Sequence, residues 1–189
     1  MSAIRILGIS GSLRSGSHNT SLLRAAAQSL PSGAGLEVFD DLRDLPPYDA
    51  DLDVEPAPAA VARLREAIAD ADGVLISTPE FNGSIPGVLK NALDWASRPF
   101  PDNALRGKPV SVIGASTGLF GAVWAQAETR KSLGIIGADV LPGELPVGQA
   151  QHAFGDDGHL VEPDLRAALD DLLGVLAQRV GARDSQAAV

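Results

Sequence analysis

The sequence predicts an α/β three-layer sandwich whose centre is a five-stranded parallel sheet of order 2-1-3-4-5. Three observations carry this. Short β-branched apolar runs alternate with helical patterns from end to end. The runs have no polar face, as expected of strands covered by helices on both sides. Right-handed crossovers leave few topologies, and this order is a common one for five strands in a chain of 189 residues.

Taken in order, "AIRILGIS" (3–10) reads as the first strand. Leu22, Leu23, Ala26 and Leu30 then keep helical spacing, with Asn19 as a candidate cap. "LEVFD" (36–40) is the second strand, and the proline- and aspartate-rich stretch 41–58 is expected to run along the surface as a loop. Val61, Leu64, Ile68 and Ala71 mark the second helix, and "GVLISTP" (73–79) the third strand. Pro86 sits where a first helical residue would, ahead of the apolar face Leu89, Ala92, Leu93 and Ala96. "PVSVIGAS" (109–116) is the fourth strand; segment 121–134 is helical by propensity alone, and "ADVLP" (138–142) is the fifth strand. Pro163 opens a last helix with Leu165, Leu169, Leu172 and Leu176 inward. Residues 1–180 are thus expected to form one domain and 181–189, "GARDSQAAV", a flexible tail.

Composition narrows the function. There is no cysteine, which removes disulfides, thiol catalysis and thiolate metal sites together, so any redox chemistry must rest on a bound cofactor. A net charge of −9 argues against a nucleic-acid surface. No apolar run approaches a membrane span, and the start "MSAIRILGIS" lacks the pattern of a secretory signal, so the expectation is a cytoplasmic protein without membrane contact. His18, His152 and His159 are scattered and suggest no metal site.

In such a sheet, ligands bind beyond the carboxyl ends of the strands where the order reverses, between the first and third. The loops after strands one, three and four share that rim: "GSLRSGSHNT", "PEFNGSIPG" and "GASTGLFG". In the first, Gly11 and Gly16 allow a tight turn, while Ser12, Ser17, Asn19 and Thr20 add hydrogen-bond donors and Arg14 a cationic fork. Together with the amides opening a helix, this suits a terminal phosphate of about −1.5 to −2 charge. A Walker loop would need Gly-Lys-Ser/Thr, and GxGxxG is absent, so the loop reads as a site for one phosphate of a mononucleotide. In the second loop, Pro79 ends the strand, Gly83 frees a backbone amide, and Phe81 and Pro86 offer an apolar wall to a planar heterocycle. Trp95, just beyond, is expected in the core.

"GISGSLRSGSHNT" together with "TPEFNGSIPGVLKNALDW" resembles the NADPH-dependent FMN reductase family, the flavodoxin-like quinone, chromate and azo-dye reductases. The likeness spans about residues 3–180. It implies a flavodoxin-like fold and FMN, with the phosphate on Ser12, Arg14, Ser17, Asn19 and Thr20. It implies an isoalloxazine lined by Pro79, Glu80, Phe81, Asn82 and Gly83, and a rim closed by Ser116. Phe81 stands where the family usually has tyrosine, which keeps the flat face and removes a hydroxyl. The resemblance also implies NADPH or NADH as co-substrate, a quinone or similar small molecule as acceptor, and a homodimer or homotetramer in which Arg130 and Glu144 could lie at an interface. No side chain is nominated as a catalytic acid or base, since a flavin carries the chemistry; Glu80 is expected to bond backbone or a neighbouring chain.

Two other functions fit parts of the chain. Gly114-Ala115-Ser116-Thr117-Gly118 satisfies the G-x-S-x-G elbow of a serine hydrolase, with Asp139 and then His152 or His159 following in order. That reading leaves the first two loops without a purpose. A flavodoxin-type electron carrier suits the acidic charge, but such carriers usually hold phosphate without an arginine, and Arg14 is present here.

Overall fold

The computed structural model describes residues 4–187, with side-chain environments as far as Arg183. Ala3, the first residue of the expected opening strand, and the last two residues of the expected tail lie outside that range. The strands are β1 (Ile4–Ser10), β2 (Ala34–Phe39), β3 (Gly73–Thr78), β4 (Pro109–Ala115) and the short β5 (Asp139–Val140) and β6 (Pro146–Val147). They pair in parallel in the order β2-β1-β3-β4-β5, so the expected topology is the observed one. β3 and β4 are buried at every position, which explains why their sequences carry no polar alternation.

Period-two side-chain alternation divides the core into two layers. Val74 and Ile76 of β3 face α2 (Ala59–Asp70) and α3 (Gly87–Ala96), packing with Leu64, Leu89 and Trp95. Leu75 faces the other way, into Leu22 and Leu23 of α1 (His18–Ser29) and Leu173 and Leu176 of α5 (Pro163–Ala187). Among the described residues no helix is long and apolar enough to cross a membrane.

Several details depart from the sequence reading. The fifth strand is not one run over 138–142. β5 pairs only Asp139 and Val140 with Pro109 and Val110; β6 then pairs Pro146 and Val147 with Gly114 and Ala115. Between them, Pro142 has no N–H to give a ladder and Gly143 turns at φ 102°. α4 (Val123–Ile136) starts two residues later than expected because Ala122 is left-handed at φ 61°, and Gly137 at φ 100° ends it. Pro86 precedes α3 instead of opening it. α5 continues to Ala187, so segment 181–187 is helical. The stretch 41–58 forms two 3₁₀ turns, Asp41–Asp44 and Ala50–Leu52, and buries Leu42 and Leu45. Pro46 is part of its anchor: its carbonyl accepts from Trp95 Nε1 (2.8 Å) and Asn91 Nδ2 (2.9 Å). Trp95 is fully buried, as expected.

The helix cap is also different. Ser17, not Asn19, caps α1: its Oγ accepts from Thr20 N at 3.2 Å. Asn19 lies inside the first turn, 3% exposed. Its Nδ2 donates to the Ala115 carbonyl (2.9 Å), while Oδ1 accepts from Ala115 N (3.0 Å) and Ser77 Oγ (2.9 Å). One amide thereby joins α1 to the carboxyl ends of β3 and β4.

Two stability predictions follow from this packing. Trp95→Ala removes a fully buried ring and is expected to cost about 3–5 kcal/mol, read from the urea midpoint. Asn19→Ala orphans the Ala115 N–H and C=O and the Ser77 hydroxyl, and is expected to cost about 3 kcal/mol in the same titration. A loss below about 1 kcal/mol would mean that these groups find other partners.

Candidate functional site

The loop between β1 and α1 is tied at both ends and open in the middle. Gly11 N donates to Ser77 O (2.8 Å), and Ser17 N donates to Arg14 O (3.1 Å). Gly11 has no room for a side chain to spare: a Cβ there would meet Leu89 Cδ2 and Pro79 Cδ at 3.1 Å each. Between the ties, the amides of Leu13, Arg14, Ser15 and Gly16 donate to no group among the described residues. The His18 and Asn19 amides that open α1 likewise have no acceptor among the described residues, while the Thr20 amide is taken by the Ser17 cap. Consecutive unpaired N–H groups at a helix start are the fit expected for a phosphate.

The five side chains expected to hold that phosphate divide in two. Arg14 is exposed with no hydrogen bond or ion pair, and the hydroxyl of half-buried Ser12 is likewise uncommitted among the described residues. Ser17 is spent on the cap and Asn19 on the strand ends, while the Thr20 hydroxyl donates to Ser10 Oγ at 3.0 Å. These three shape the loop; Ser17 Oγ, which accepts the cap bond, donates to no group among the described residues. Arg43, which the sequence did not single out, donates from Nη2 to Leu13 O (2.7 Å) and props the loop from outside. With Ser12, Arg14, Thr20 and Arg24 it lines a cavity of about 220 Å³. His18 stacks on Phe154 with ring planes 3° apart and centroids at 6.4 Å. Burial, and then the Arg14 charge, hold its pKa below the ordinary histidine value.

The loop after β3 is a hairpin in miniature. Phe81 and Ser84 exchange backbone bonds (3.2 Å each), and Asn82 (φ 55°) and Gly83 (φ 74°) form the turn. Two successive positive φ angles are what an Asn-Gly pair supplies in a two-residue hairpin. The amides of Glu80, Asn82 and Gly83 have no acceptor among the described residues, so the hairpin presents donors at its tip. Pro79 is buried, and Phe81 is 60% exposed beside the rim. Glu80 Oε2 accepts from Trp124 N (3.0 Å) and Ala125 N (3.1 Å) at the start of α4. In the reverse direction, Glu128 Oε2 on α4 accepts from Ser84 Oγ (2.5 Å) and Ile85 N (3.3 Å). The Ser84 hydroxyl, followed by the Ile85 amide, holds the Glu128 pKa below the usual carboxylate value. Glu128 went unnoticed in the sequence because its partners lie more than forty residues away.

The third loop closes the rim. Ser116 N donates to Val147 O (3.0 Å) and Gly118 O accepts from Gln149 N (2.9 Å), leaving the amides of Thr117, Gly118 and Leu119 without an acceptor among the described residues. Gly121 must be glycine, because a Cβ would fall 2.2 Å from the Pro146 carbonyl carbon. Phe120 and Trp124, both more than half exposed, meet edge to face at 5.2 Å. The structure does not assemble a hydrolase triad: Ser116 Oγ donates to Gly118 O (3.4 Å), and Asp139 pairs with Arg179 (2.6 Å) at the amino end of the sheet. Arg130 and Glu144 form an ion pair within the chain at 2.8 Å. Among the described residues no three metal-binding side chains converge. A surface groove of about 660 Å³ along β1, β2 and α2 is lined by none of the three rim loops.

The residues present fit FMN: unpaired amides and Arg14 for its phosphate, and a donor-bearing hairpin with a flat apolar side for its ring system. Comparison with known proteins agrees. The family model for NADPH-dependent FMN reductases matches residues 4–152. An NAD(P)H-dependent FMN reductase of Pseudomonas aeruginosa is 43% identical over 176 residues, covering 92% of this chain and 93% of that protein. A 2-hydroxy-1,4-benzoquinone reductase of a Burkholderia species is 38% identical over 172 residues, covering 90% and 93%. Among solved structures, the flavoenzyme NAD(P)H:(acceptor) oxidoreductase FerB of Paracoccus denitrificans superposes with a TM-score of 0.83 at 32% identity, covering 95% of this chain and 98% of that one. With a family model matched over residues 4–152 and relatives alike over nearly their whole length, the chain belongs to the NADPH-dependent FMN reductase family, FMN-binding oxidoreductases related to the NAD(P)H:quinone-type reductases.

Proposed function

We propose that this chain is an NAD(P)H oxidoreductase that uses FMN to pass electrons from a nicotinamide to a quinone or a similar small acceptor. The observation that carries the reading is the convergence, on one rim, of the unpaired amides at Leu13–Gly16 beside Arg14 with the unpaired amides at Glu80, Asn82 and Gly83. When bound, FMN supplies the hydride and electron chemistry.

The chain's own residues bind, orient and shield. Arg14 would make a charge-assisted contact to the phosphate, with Ser12 beside it, and the amides of the turn would take the remaining oxygens. The hairpin would set donors against the polar edge of the ring. Phe81, lacking a hydroxyl, offers the acceptor a flat apolar surface and no hydrogen bond. Each nearby carboxylate has one oxygen engaged in holding the loop: Glu80 Oε2 by two amides, and Glu128 Oε2 by a hydroxyl and an amide. A homodimer or homotetramer that covers exposed Leu119, Phe120 and Trp124 belongs to the same reading.

Purified protein reconstituted with FMN should be yellow, should bleach on NADPH or NADH without air, and should regain colour on adding a quinone. A flavodoxin-type carrier would bind FMN and fail to bleach. Arg14→Ala is expected to weaken FMN binding by about 1.5–3 kcal/mol, roughly tenfold to a hundredfold, in a fluorescence titration of the apoprotein. Unchanged affinity would place Arg14 outside the site.

A further inference from the structure

We infer that Glu80 and Glu128 form a reciprocal latch that holds the hairpin at 80–85 in place against α4, which makes Glu128 a positioning residue for flavin retention. The inference rests on the flavin reading given above. Its structural basis is an exchange of caps. Neither α3 nor α4 has a side-chain cap of its own: Pro86 precedes the first, and Ala122 precedes the second. The Glu80 carboxylate, from the hairpin, takes the Trp124 and Ala125 amides that open α4. Glu128, one turn further along α4 than Trp124, returns a carboxylate to Ser84 Oγ and to Ile85 N, just ahead of α3.

The two attachments flank the turn. Between them stand Phe81, Asn82 and Gly83, all exposed, and a Cβ added at Gly83 would meet nothing within 4 Å. An isolated two-stranded hairpin is marginal in water, so the pair of Phe81–Ser84 bonds cannot by itself fix this tip. A single anchor would leave a hinge; anchors on both sides fix distance and direction. Exposed carboxylate contacts contribute little to global stability. Their effect belongs to local opening, the process by which a segment with few packing contacts moves and a ligand escapes. The Ser84 hydroxyl first, then the Ile85 amide and last the Lys131 charge on the same helix lower the Glu128 pKa.

The test compares Glu128→Ala, Glu128→Gln and Ser84→Ala with the unaltered chain. Without flavin, hydrogen exchange at amides 80–85 should speed up in Glu128→Ala. With FMN bound, its release on dilution, followed by recovery of flavin fluorescence, should rise about three- to tenfold in Glu128→Ala and less in Ser84→Ala. Glu128→Gln keeps an oxygen that can accept both bonds and should lie close to the unaltered chain. Thermal midpoints of all three should change little. FMN release unchanged in both Glu128→Ala and Ser84→Ala overturns the proposal, as does a Glu128→Gln variant no better than Glu128→Ala. Should Glu128→Ala fail to fold, Ser84→Ala decides. A chain that takes up no FMN at all defeats the flavin reading and the positioning role with it, while the exchange data still report whether the latch exists.

Discussion

The amide of Asn19 is where the site is made. Strand ends in a parallel sheet fan apart under twist, and loops leaving them have no intrinsic reason to stay in register. Here one buried side chain spans the first turn of α1, Ser77 at the end of β3 and both backbone groups of Ala115 at the end of β4. In the same region, Gly11 N reaches Ser77 O, bringing the end of β1 into the cluster. In a low-dielectric interior such a cluster is costly to leave half made, so it tolerates essentially one arrangement of the three loops. Gln126 repeats the device one layer over. Its Nε2 donates to Gly121 O (3.0 Å) and Leu145 O (3.3 Å), and its Oε1 accepts from Leu145 N (3.2 Å), bridging the start of α4 to the break between β5 and β6.

That constraint explains a division of labour along the rim. Polar side chains at buried positions build, and backbone amides are left to bind. Ser17, Asn19 and Thr20 each engage side-chain polar atoms inside the protein. The groups left without partners are chiefly main-chain N–H groups, with Arg14 and Ser12 as the side chains that add to them. Amides held by a rigid frame are already oriented before a ligand arrives, whereas a ring of flexible hydroxyls would lose rotamer freedom on binding.

How much of this could be read from residues alone follows the range of the interactions. Strands buried on both faces announce themselves, and β1, β3 and β4 fall within a residue of where the apolar runs place them. The Asn82-Gly83 turn is equally local, because the two positive φ angles are a property of that dipeptide. The fifth strand failed for a local reason that outweighed its β-branched core: Pro142 and Gly143 interrupt the ladder after two residues. Asn19 reads as a cap from the sequence and is a strand clamp in the structure, since both tasks call for the same residue type. Glu128 and Arg43 carried no signal; each acts on a loop at least thirty residues away, and charged residues on a surface usually do nothing of the kind.

The charge distribution gives the rim a direction. The chain carries −9 overall, a field that disfavours any anionic nucleotide at a distance. Attraction therefore has to be short-ranged; at one end Arg14, Arg24 and Arg43 line a cavity beside the turn between β1 and α1, with the Asp40 carboxylate among them. At the other end, Phe81, Phe120 and Trp124 are exposed and uncharged, and Glu80 and Glu128 have their facing oxygens occupied by α4 and by the hairpin. A ligand with a dianionic tail and a flat, weakly polar head matches this gradient in one orientation only. A reversed ligand would place its phosphate beside two carboxylates and its rings among guanidinium groups. On the flavin reading proposed above, this polarity would favour one orientation of the nucleotide before any single hydrogen bond is formed, and a latched hairpin would refine that pose.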